Sequence, residues 1–372
     1  MLVDTELRGA RPQARILFME VAELRRELSR KRYVRSRLLR TGALRMAYLA
    51  YSRALLRWSE MSTPEAAASL RRRIEELFDA DFRDADAGYY PRELIEGLPW
   101  REYAQALPRL LADLPRTRAR IERGDFRELP EDAQSGRYPR YYARNFHFQS
   151  EGYLGHTSAQ LYDLQVELLF GGTADAMRRR LIPPVVGYAH AHDACAQKPV
   201  RILDVACGTG HFLRMLGAAL PTEARFFGLD LSPHYIARAR EVLPRDMDVS
   251  LVCDNAEKLP FQDGSFDVVT SVFLLHEIPS EVRARVLREA ARVLKPSGLA
   301  VVADSIQLRD APELRREILA FPDRFHEPYY RSYVEDDLAA RVGDAGLRVT
   351  GSRLAFLTKL VTAEKPQASS AV

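Results

Sequence analysis

The segment Ile202-Leu-Asp-Val-Ala-Cys-Gly-Thr-Gly210 decides the fold of this chain. Together with Val200 and Arg201 it begins as a short, mainly apolar run, which is typical of a buried β-strand, and two glycines follow. Glycine lets the backbone approach a ligand closely and turn into the N-terminus of a helix. The segment therefore predicts a strand, a ligand-binding turn and a helix in succession.

Two nearby residues narrow the ligand that this turn would accept. A nicotinamide site would have a third glycine, in the pattern Gly-x-Gly-x-x-Gly, where this chain has Leu213. Asp204, at the end of the strand, would lie unfavourably beside a pyrophosphate. Because a carboxylate stabilises a cation at short range, Asp204 suits a ligand that carries an ammonium group and a cationic sulfur.

Acidic residues also end the next two apolar runs. Asp230 follows Gly210 by twenty residues, and a carboxylate there can accept hydrogen bonds from both hydroxyls of a ribose. Asp254 and Asn255 end the run after that, with donors and acceptors suited to an adenine edge. Helix N-capping explains each acid singly, but it explains less well three acids at successive strand ends.

Short apolar runs alternate with helical stretches, such as Pro233–Val242, throughout the second half of the chain. This alternation predicts an α/β fold with a parallel sheet, in which ligands bind at the carboxyl ends of the strands. The runs are Val200–Val205, Phe226–Leu229, Val249–Cys253, Phe266–Phe273 and Leu299–Ala303.

Five motifs in order make residues 158–361 resemble the class I S-adenosylmethionine-dependent methyltransferases, particularly their small-molecule branch. The resemblance implies a Rossmann-like, seven-stranded, mostly parallel sheet with helices on both faces, closed by an antiparallel hairpin that we expect at Leu347–Ser352 and Leu354–Val361. The motifs are Leu203-Asp-Val-Ala-Cys-Gly-Thr-Gly210, Gly228-Leu-Asp-Leu-Ser232, Asp254-Asn-Ala-Glu-Lys-Leu-Pro-Phe261, Ser265-Phe-Asp-Val-Val269 and Leu294-Lys-Pro-Ser-Gly298.

The same resemblance implies S-adenosyl-L-methionine as the cofactor and S-adenosyl-L-homocysteine as its product. The glycine loop would contact the methionine part, Asp230 the ribose, and Asp254 and Asn255 the adenine, on which Leu231 packs. Ala206 stands where the family most often has glycine, and alanine is a familiar variant there. The expected cofactor-binding residues are Asp204, Ala206, Gly208, Gly210, Asp230, Leu231, Asp254, Asn255 and Phe273.

Methyl transfer from a sulfonium is an in-line displacement whose leaving group is a neutral thioether, so it needs no acid. Alignment supplies about 7–11 kcal/mol in favourable cases, and a base is needed only where the acceptor must lose a proton. His276, just past the fourth strand, is the expected catalytic base, because the family fold places this turn beside the transferred methyl and histidine titrates near neutrality. A positioning or packing role for His276 stays open, and we expect Glu277 to cap the next helix.

Residues before about 195 show helical periodicity and no alternation typical of strands. Helices are expected over 13–60, from Ser62-Thr-Pro-Glu65 onward, over 92–122 with prolines as punctuation, and over Ser158–Leu169. We therefore predict an all-α N-terminal domain (1–137), an aromatic-rich lid with connecting helices (138–196), a methyltransferase domain (197–363) and a flexible tail (364–372).

The methyl acceptor would bind between the lid and the segment that precedes the final hairpin. An aromatic cluster is more often core than pocket, but the polar residues among these aromatics keep the pocket interpretation open. Aromatic faces also attract a cationic or polarised methyl. The candidates are Tyr142, Asn145, His147, Gln149, His326, Tyr329 and Tyr330.

The chain carries a net charge of +4, and residues 1–60 alone carry +8. A basic segment can bind nucleic acid or an anionic membrane, but 49 of the 55 cations are arginine, which indicates coding bias more than selected chemistry. We therefore disfavour a nucleic-acid partner and expect a small-molecule acceptor. A homodimer through the N-terminal helices stays open.

Metal ligands, disulfides and membrane spans are not expected. His190 and His192 point in different directions on a helix, and Cys195 adds no further ligand pair, so no metal is predicted. Three cysteines without paired spacing favour a reducing compartment. The start lacks the pattern of a signal peptide, and no apolar run approaches the ~20 residues of a membrane span. We expect a cytoplasmic protein.

Three functions remain to be weighed. The leading hypothesis is an enzyme that methylates a small metabolite, aromatic or lipophilic. The second is an RNA or protein methyltransferase using the Arg-rich N-terminus, which the segment Ser271-Val-Phe-Leu274 disfavours because it lacks an Asn-Pro-Pro-Tyr-type signature. The third is a non-catalytic S-adenosylmethionine-binding protein, against which the intact loop and acids count.

Overall fold

The computed structural model describes residues 12–56, 63–97, 100–124, 129–130, 138–148, 151–196, 199–220 and 224–367. Its centre is one seven-stranded sheet with helices on both faces. The strands are β1 (Val200–Val205), β2 (Ala224–Asp230), β3 (Val249–Cys253), β4 (Phe266–Val272), β5 (Leu294–Ser305), β6 (Arg348–Ala355) and β7 (Thr358–Glu364).

The strand order is β3-β2-β1-β4-β5-β7-β6, and β7 runs antiparallel to both of its neighbours while the other pairs are parallel. The order in which strands are added therefore reverses between β1 and β4: β2 and β3 lie on one side of β1, and β4 and β5 lie on the other. Ligands bind at such a switch point in open α/β sheets. The Rossmann-like sheet expected from the sequence is confirmed.

Several expected boundaries move for identifiable reasons. Phe273 is not in β4, because its backbone is left-handed with φ 57°. The closing hairpin is present, but its turn is at Phe356 and Leu357 rather than at Arg353, so the expected boundaries of both strands were wrong. Gly351 lies inside β6, directly after an irregularity in the pairing of β6 with β7.

Helices cover most of the remaining described residues. They are α1 (Pro12–Leu56), α2 (Pro64–Asp86), α3 (Glu93–Glu96), α4 (Trp100–Arg123), α5 (His156–Leu169), α6 (Ala174–Arg179), α7 (Ile182–Ala196), α8 (His211–Ala219), α9 (Pro233–Val242), α10 (Ser280–Val293), α11 (Arg315–Phe325), α12 (Tyr330–Val334) and α13 (Leu338–Asp344). None of these helices is long and apolar enough to cross a membrane.

Local signals explain where several helices begin and end. The Thr63 hydroxyl accepts a hydrogen bond from Ala66 N and Pro64 occupies the first turn, so α2 starts where its sequence predicts. Helix α5 stops before Gly171 and Gly172, which both have positive φ. Helix α4 continues through Pro108 instead of breaking there.

Helix α2 belongs to the core of the sheet. Leu70, Ile74 and Phe78 are buried in the same apolar cluster as Val269 of β4 and Val302 of β5. The expected boundary at residue 137 therefore does not separate two hydrophobic cores. At the other end of the chain, Lys365 pairs with the backbone of residues 297–298, so ordered structure passes the boundary expected at 363.

A buried ion pair anchors α2 to α6. Arg179 donates from Nε and Nη2 to the two carboxylate oxygens of Asp81, at 2.8 and 2.7 Å. Tyr90 and Tyr33 also donate to the Asp81 carboxylate. Burial alone would raise the pKa of Asp81, but the Arg179 guanidinium and these hydrogen bonds hold it below its usual value. The buried negative charge of Asp81 is thus paired with Arg179, and both of its oxygens accept hydrogen bonds.

Candidate active site

A cavity of about 100 Å³ lies at the carboxyl ends of β1, β2, β3 and β4, and we call it the strand-end cavity. This is the edge at which α/β sheets bind ligands. Seven of the nine residues expected to bind the cofactor line it, and they are Ala206, Gly208, Asp230, Leu231, Asp254, Asn255 and Phe273.

Asp204 and Gly210 are not among the lining residues. Asp204 is buried within the sheet, where it accepts a hydrogen bond from Thr270 Oγ1 at 2.7 Å, and burial raises its pKa to about 7. Gly210 is the N-cap of α8 with φ 74°, and a Cβ there would lie 3.1 Å from the Cβ of Ala239. In this structure Asp204 therefore links β1 to β4, and Gly210 allows α8 to approach α9 closely.

Asp230 is the central polar group of the strand-end cavity. Its Oδ2 accepts from Gly208 N and its Oδ1 accepts from Ser232 N, both at 2.9 Å. Burial raises the pKa of Asp230 to about 6, although these backbone donors favour the charged form. Each oxygen keeps lone pairs for further donors, so the carboxylate can accept the two hydroxyls of a ribose.

The far end of the same cavity presents a polar edge beside apolar side chains. Asn255 N donates to Asp254 Oδ1 at 2.7 Å, and Asn255 Oδ1 accepts from Glu257 N at 2.9 Å. These bonds hold the turn after β3 in one shape. Leu231 and Ala256 line the cavity nearby, so this end suits a flat, hydrogen-bonding base.

Five tyrosines line the side of the strand-end cavity away from the sheet. Four of them come from the region 138–169 and the fifth from α9, and they are Tyr141, Tyr142, Tyr153, Tyr162 and Tyr235. Tyr153 and Tyr162 both meet Tyr235 edge to face, at 5.7 and 5.5 Å between ring centroids. Tyr162 and Tyr235 were not expected at the site, because single tyrosines on helices carry no local signal.

A second cavity, of about 250 Å³, lies beside the first, and we call it the apolar cavity. Helices α2, α5 and α11 supply much of its lining. The two cavities share Tyr162, Phe273 and Glu277 and therefore meet at these residues. The apolar side chains that line the second cavity are Leu70, Val166, Leu169, Phe170, Phe273, Ile306, Leu314, Ile318, Phe321 and Leu357.

His276 lines the apolar cavity and is held by Asp304 at the end of β5. Nδ1 of His276 lies 2.5 Å from Asp304 Oδ1, and Asp304 Oδ2 accepts from Leu275 N and His276 N. Burial alone would lower the pKa of His276, but the Asp304 carboxylate raises it to about 10. The Asp304 carboxylate thus favours the charged imidazole and fixes the orientation of the ring.

Three further ionisable groups gather beside His276. His147 Nε2 lies 3.0 Å from Glu327 Oε1 and 3.7 Å from Glu277 Oε1. Tyr153 OH donates to Glu277 Oε1 at 2.5 Å. Burial raises the pKa of Glu327 to about 7, against the attraction of His147 and His276. Glu327 was not among the expected site residues, and Glu277 was expected to cap the next helix.

The residues expected to bind the acceptor do not all meet. His147 and Tyr330 line the apolar cavity, whereas Tyr142 lines the strand-end cavity. Asn145 is buried, and neither it nor His326 and Tyr329 line either cavity. Gln149 lies outside the described residues.

Left-handed backbone is concentrated at this site. Ala206, Phe273, His147 and His326 all have φ between 49° and 60°. Such conformations cost about 1–3 kcal/mol each in residues other than glycine and are found preferentially at functional sites. The strain marks the loop after β1, the end of β4 and the two segments that carry His147 and Glu327.

Comparison with known proteins identifies the central segment. Residues 202–298 match the protein family described as "Methyltransferase domain". A demethylmenaquinone methyltransferase from Listeria monocytogenes is 41% identical over 113 residues, which cover 30% of this chain and 47% of that protein. A demethylmenaquinone methyltransferase from Staphylococcus aureus is 36% identical over 115 residues, 31% of this chain and 47% of that protein. The chain thus spans about half the length of the curated relatives it matches.

A solved structure of a SAM-dependent methyltransferase from Methanosarcina mazei is also similar. It is 21% identical, with a TM-score of 0.39, and the match covers 50% of this chain and 98% of that one.

Proposed function

Because residues 202–298 form a class I S-adenosylmethionine-dependent methyltransferase domain, we propose that this chain methylates a small, largely apolar acceptor held in the apolar cavity. One observation carries the proposal: the strand-end cavity and the apolar cavity meet at Tyr162, Phe273 and Glu277. Two ligands held on either side of this contact would have their reacting atoms adjacent.

The strand-end cavity has the hydrogen-bonding groups that S-adenosylmethionine requires. Asp230 offers two carboxylate oxygens to a ribose diol, and Asp254 and Asn255 offer a polar edge to the base beside Leu231. When bound there, S-adenosylmethionine supplies an electrophilic methyl on a cationic sulfur. The tyrosines on the outer side exclude water and present electron-rich ring faces to a cation.

The lining of the apolar cavity supports an apolar acceptor. Its surface is mainly leucine, isoleucine, valine and phenylalanine, and burial of such a ligand is favourable by about 25 cal/mol per Å² of apolar area. The curated relatives bear the name demethylmenaquinone methyltransferase, which agrees with a lipophilic acceptor. A cavity of about 250 Å³ does not suit a folded RNA or protein substrate.

His276 is the residue that we propose to act on the acceptor. Its Nδ1 is taken by Asp304, and the ring lines the apolar cavity, so Nε2 is left to meet an acceptor oxygen. As an imidazolium it would stabilise negative charge on that oxygen and orient it toward the neighbouring cavity. In this role His276 does not accept a proton, and the proton of a phenol or quinol acceptor would leave to solvent water.

Two measurements on the full chain test the proposal. Isothermal titration with S-adenosylmethionine should show one site, and radiolabelled methyl should transfer to apolar phenols or quinols of a single- or double-ring size. Asp230→Ala should lose the binding, whereas the similarly substituted Asp246→Ala, far from both cavities, should keep it. Binding without transfer to any apolar acceptor, or transfer to RNA instead, would contradict the proposed acceptor class.

A further inference from the structure

We propose that His147, Glu277 and Glu327 together bind one divalent transition-metal ion, of the class of Zn²⁺ or Mn²⁺, at the wall of the apolar cavity. The binding itself is independent of the proposed function. The role of the ion rests on it, because we assign the ion to the oxygen of the methyl acceptor.

The spacing of the three side chains fits a single ion. One ligand atom from each residue lies within 4.8 Å of the other two, and His147 Nε2 lies 3.0 and 3.7 Å from the two glutamate oxygens. Bonds of about 2.0–2.2 Å to one ion separate neighbouring ligand atoms by roughly 2.8–3.6 Å in tetrahedral or octahedral geometry. Only small side-chain adjustments would bring all three into coordination.

Glu327 supplies an independent reason to expect a cation. The residue is 1% exposed, and neither carboxylate oxygen accepts a hydrogen bond from any residue that the structure describes. His147 Nε2 lies 3.0 Å from Oε1 and can form an ion pair with it when protonated, but no hydrogen bond joins the two atoms. Even beside His147, a buried carboxylate that accepts no hydrogen bond at either oxygen is unfavourable without a further cation. A coordinated ion would satisfy both oxygens.

The chemistry of the ligands selects the class of ion. One imidazole with two carboxylates suits zinc, manganese or iron, whereas calcium and magnesium prefer oxygen ligands alone. Tyr153 donates to Glu277 Oε1 at 2.5 Å and so orients this ligand from behind, as outer hydrogen bonds do at metal sites.

The site is closed on one side and open on the other. Glu327 is enclosed in protein, whereas His147 and Glu277 line the apolar cavity, so free coordination positions would face the acceptor. An ion in that position binds a hydroxyl or carbonyl oxygen and lowers the pKa of a bound hydroxyl. The proton of such a hydroxyl would leave to solvent water, and the oxyanion that remains would be held by the ion.

This proposal departs from the expectation of no metal, which considered His190, His192 and Cys195. The three ligands come instead from a 3₁₀ turn at Phe146–Phe148, another at Leu275–Glu277 and the residue pair that follows α11. No spacing along the chain relates these segments.

Metal binding is tested directly on the full chain, purified, stripped with a chelator and dialysed against Zn²⁺ or Mn²⁺ alone. We expect one ion per chain by elemental analysis, with an affinity at least tenfold weaker in Glu327→Gln and His147→Gln. Glu317→Gln is the matched control, since Glu317 lines the same cavity outside the cluster and should keep the parent affinity. Tyr153→Phe should weaken binding by about 10-fold or more.

Thermal unfolding separates loss of the site from loss of the fold. The ion should raise the melting temperature of the parent and of Glu317→Gln but not that of Glu327→Gln, which must still bind S-adenosylmethionine. The metal site is wrong if the stripped parent takes up no stoichiometric ion, or if Glu327→Gln binds it as tightly as the parent. Ion binding without methyl transfer would overturn the proposed function and leave the site standing.

Discussion

The strand-end cavity and the apolar cavity touch each other but are built in different ways. Eleven of the twenty residues that line the first lie at the ends of β1, β2, β3 and β4 or in the turns just after them, so the sheet edge sets much of its geometry. The second is assembled from α2, α5, α11 and loops as far apart as Leu70 and Leu357. One cavity is therefore a property of the sheet edge, and the other depends on how added helices pack against it.

This difference teaches which part of the molecule decides which property. A ligand held by strand ends is shared by many proteins with the same sheet, because βα turns always converge there. A cavity built from packed helices changes with every side chain that those helices present. The proposed methyl-donor site thus depends on the sheet, and the proposed acceptor site depends on how α2, α5 and α11 pack against it.

The largest effect should come from the ion pair that anchors α2. Asp81→Ala leaves Arg179 buried without its counter-charge, which should cost about 3–5 kcal/mol of unfolding free energy. Denaturant unfolding measures it, and Glu76→Ala, at an exposed position of the same helix, should change stability by less than about 1 kcal/mol. Equal losses in both variants would mean that α2 is not held by this pair.

The next effect should fall on catalysis alone. His276→Gln removes the charged donor at the apolar cavity and should lower kcat by about 10²–10³-fold, the usual loss for one oxyanion donor. The affinity for S-adenosylmethionine should stay within about twofold of the parent, since His276 does not line the strand-end cavity. A large loss of donor affinity would show that the two cavities are not separable.

A substitution of Asp230 should weaken the binding of S-adenosylmethionine without affecting the apolar cavity. Asp230→Ala removes an ionised acceptor for two hydroxyls and should weaken S-adenosylmethionine by about 100-fold, from charge-assisted hydrogen bonds of roughly 1.5–3 kcal/mol each. Isothermal titration measures this loss. Binding of an apolar probe to the second cavity should not change, and a parallel loss of probe binding would argue against two distinct sites.

A smaller effect should follow from partly filling the apolar cavity. Val166→Phe on α5 adds a ring to its lining and should raise KM for an apolar acceptor by about 10-fold through lost contact area. Leu111→Phe, on an exposed position of α4, is the control and should leave KM unchanged. If Val166→Phe has no effect on KM, the acceptor does not occupy this cavity.

The smallest effect should be a pH dependence of donor binding. Burial raises the pKa of Asp230 to about 6, and the ionised carboxylate is the better acceptor for ribose hydroxyls. Affinity for S-adenosylmethionine should therefore be constant above that pH and fall by up to about 10-fold per pH unit below it. Titrations across this range should show the slope in the parent and none in Asp230→Asn.

The residues that the sequence could place are those tied to a strand end. The strands β1 and β3 were expected at their observed positions, and Asp230 and Asn255 follow from the same alternation of apolar runs and polar ends. Asp204 belongs to the same pattern, yet its side chain turns into the sheet toward Thr270. Successive side chains of a strand point to opposite faces of the sheet. The sequence pattern therefore predicts where a residue lies along the strand more reliably than the direction in which its side chain points.

The acceptor side shows the opposite case. His147 was expected in a pocket, but its partners Glu277 and Glu327 were not, because they come from segments that only the fold brings together. The sequence around Leu70 is typical of a buried position on a helix, and it contains no signal that Leu70 lines a cavity.

The sequence by itself determined the parallel sheet, the loop after β1 and the polar strand ends at which we propose that the methyl donor binds. Each of these depends on hydrophobic period, glycine position and residues within one βα unit, which are local properties. Only the tertiary structure decided that His276 pairs with Asp304, that α2 shares the core of the sheet, and that His147, Glu277 and Glu327 meet. These depend on packing between distant segments, which no spacing along the chain encodes.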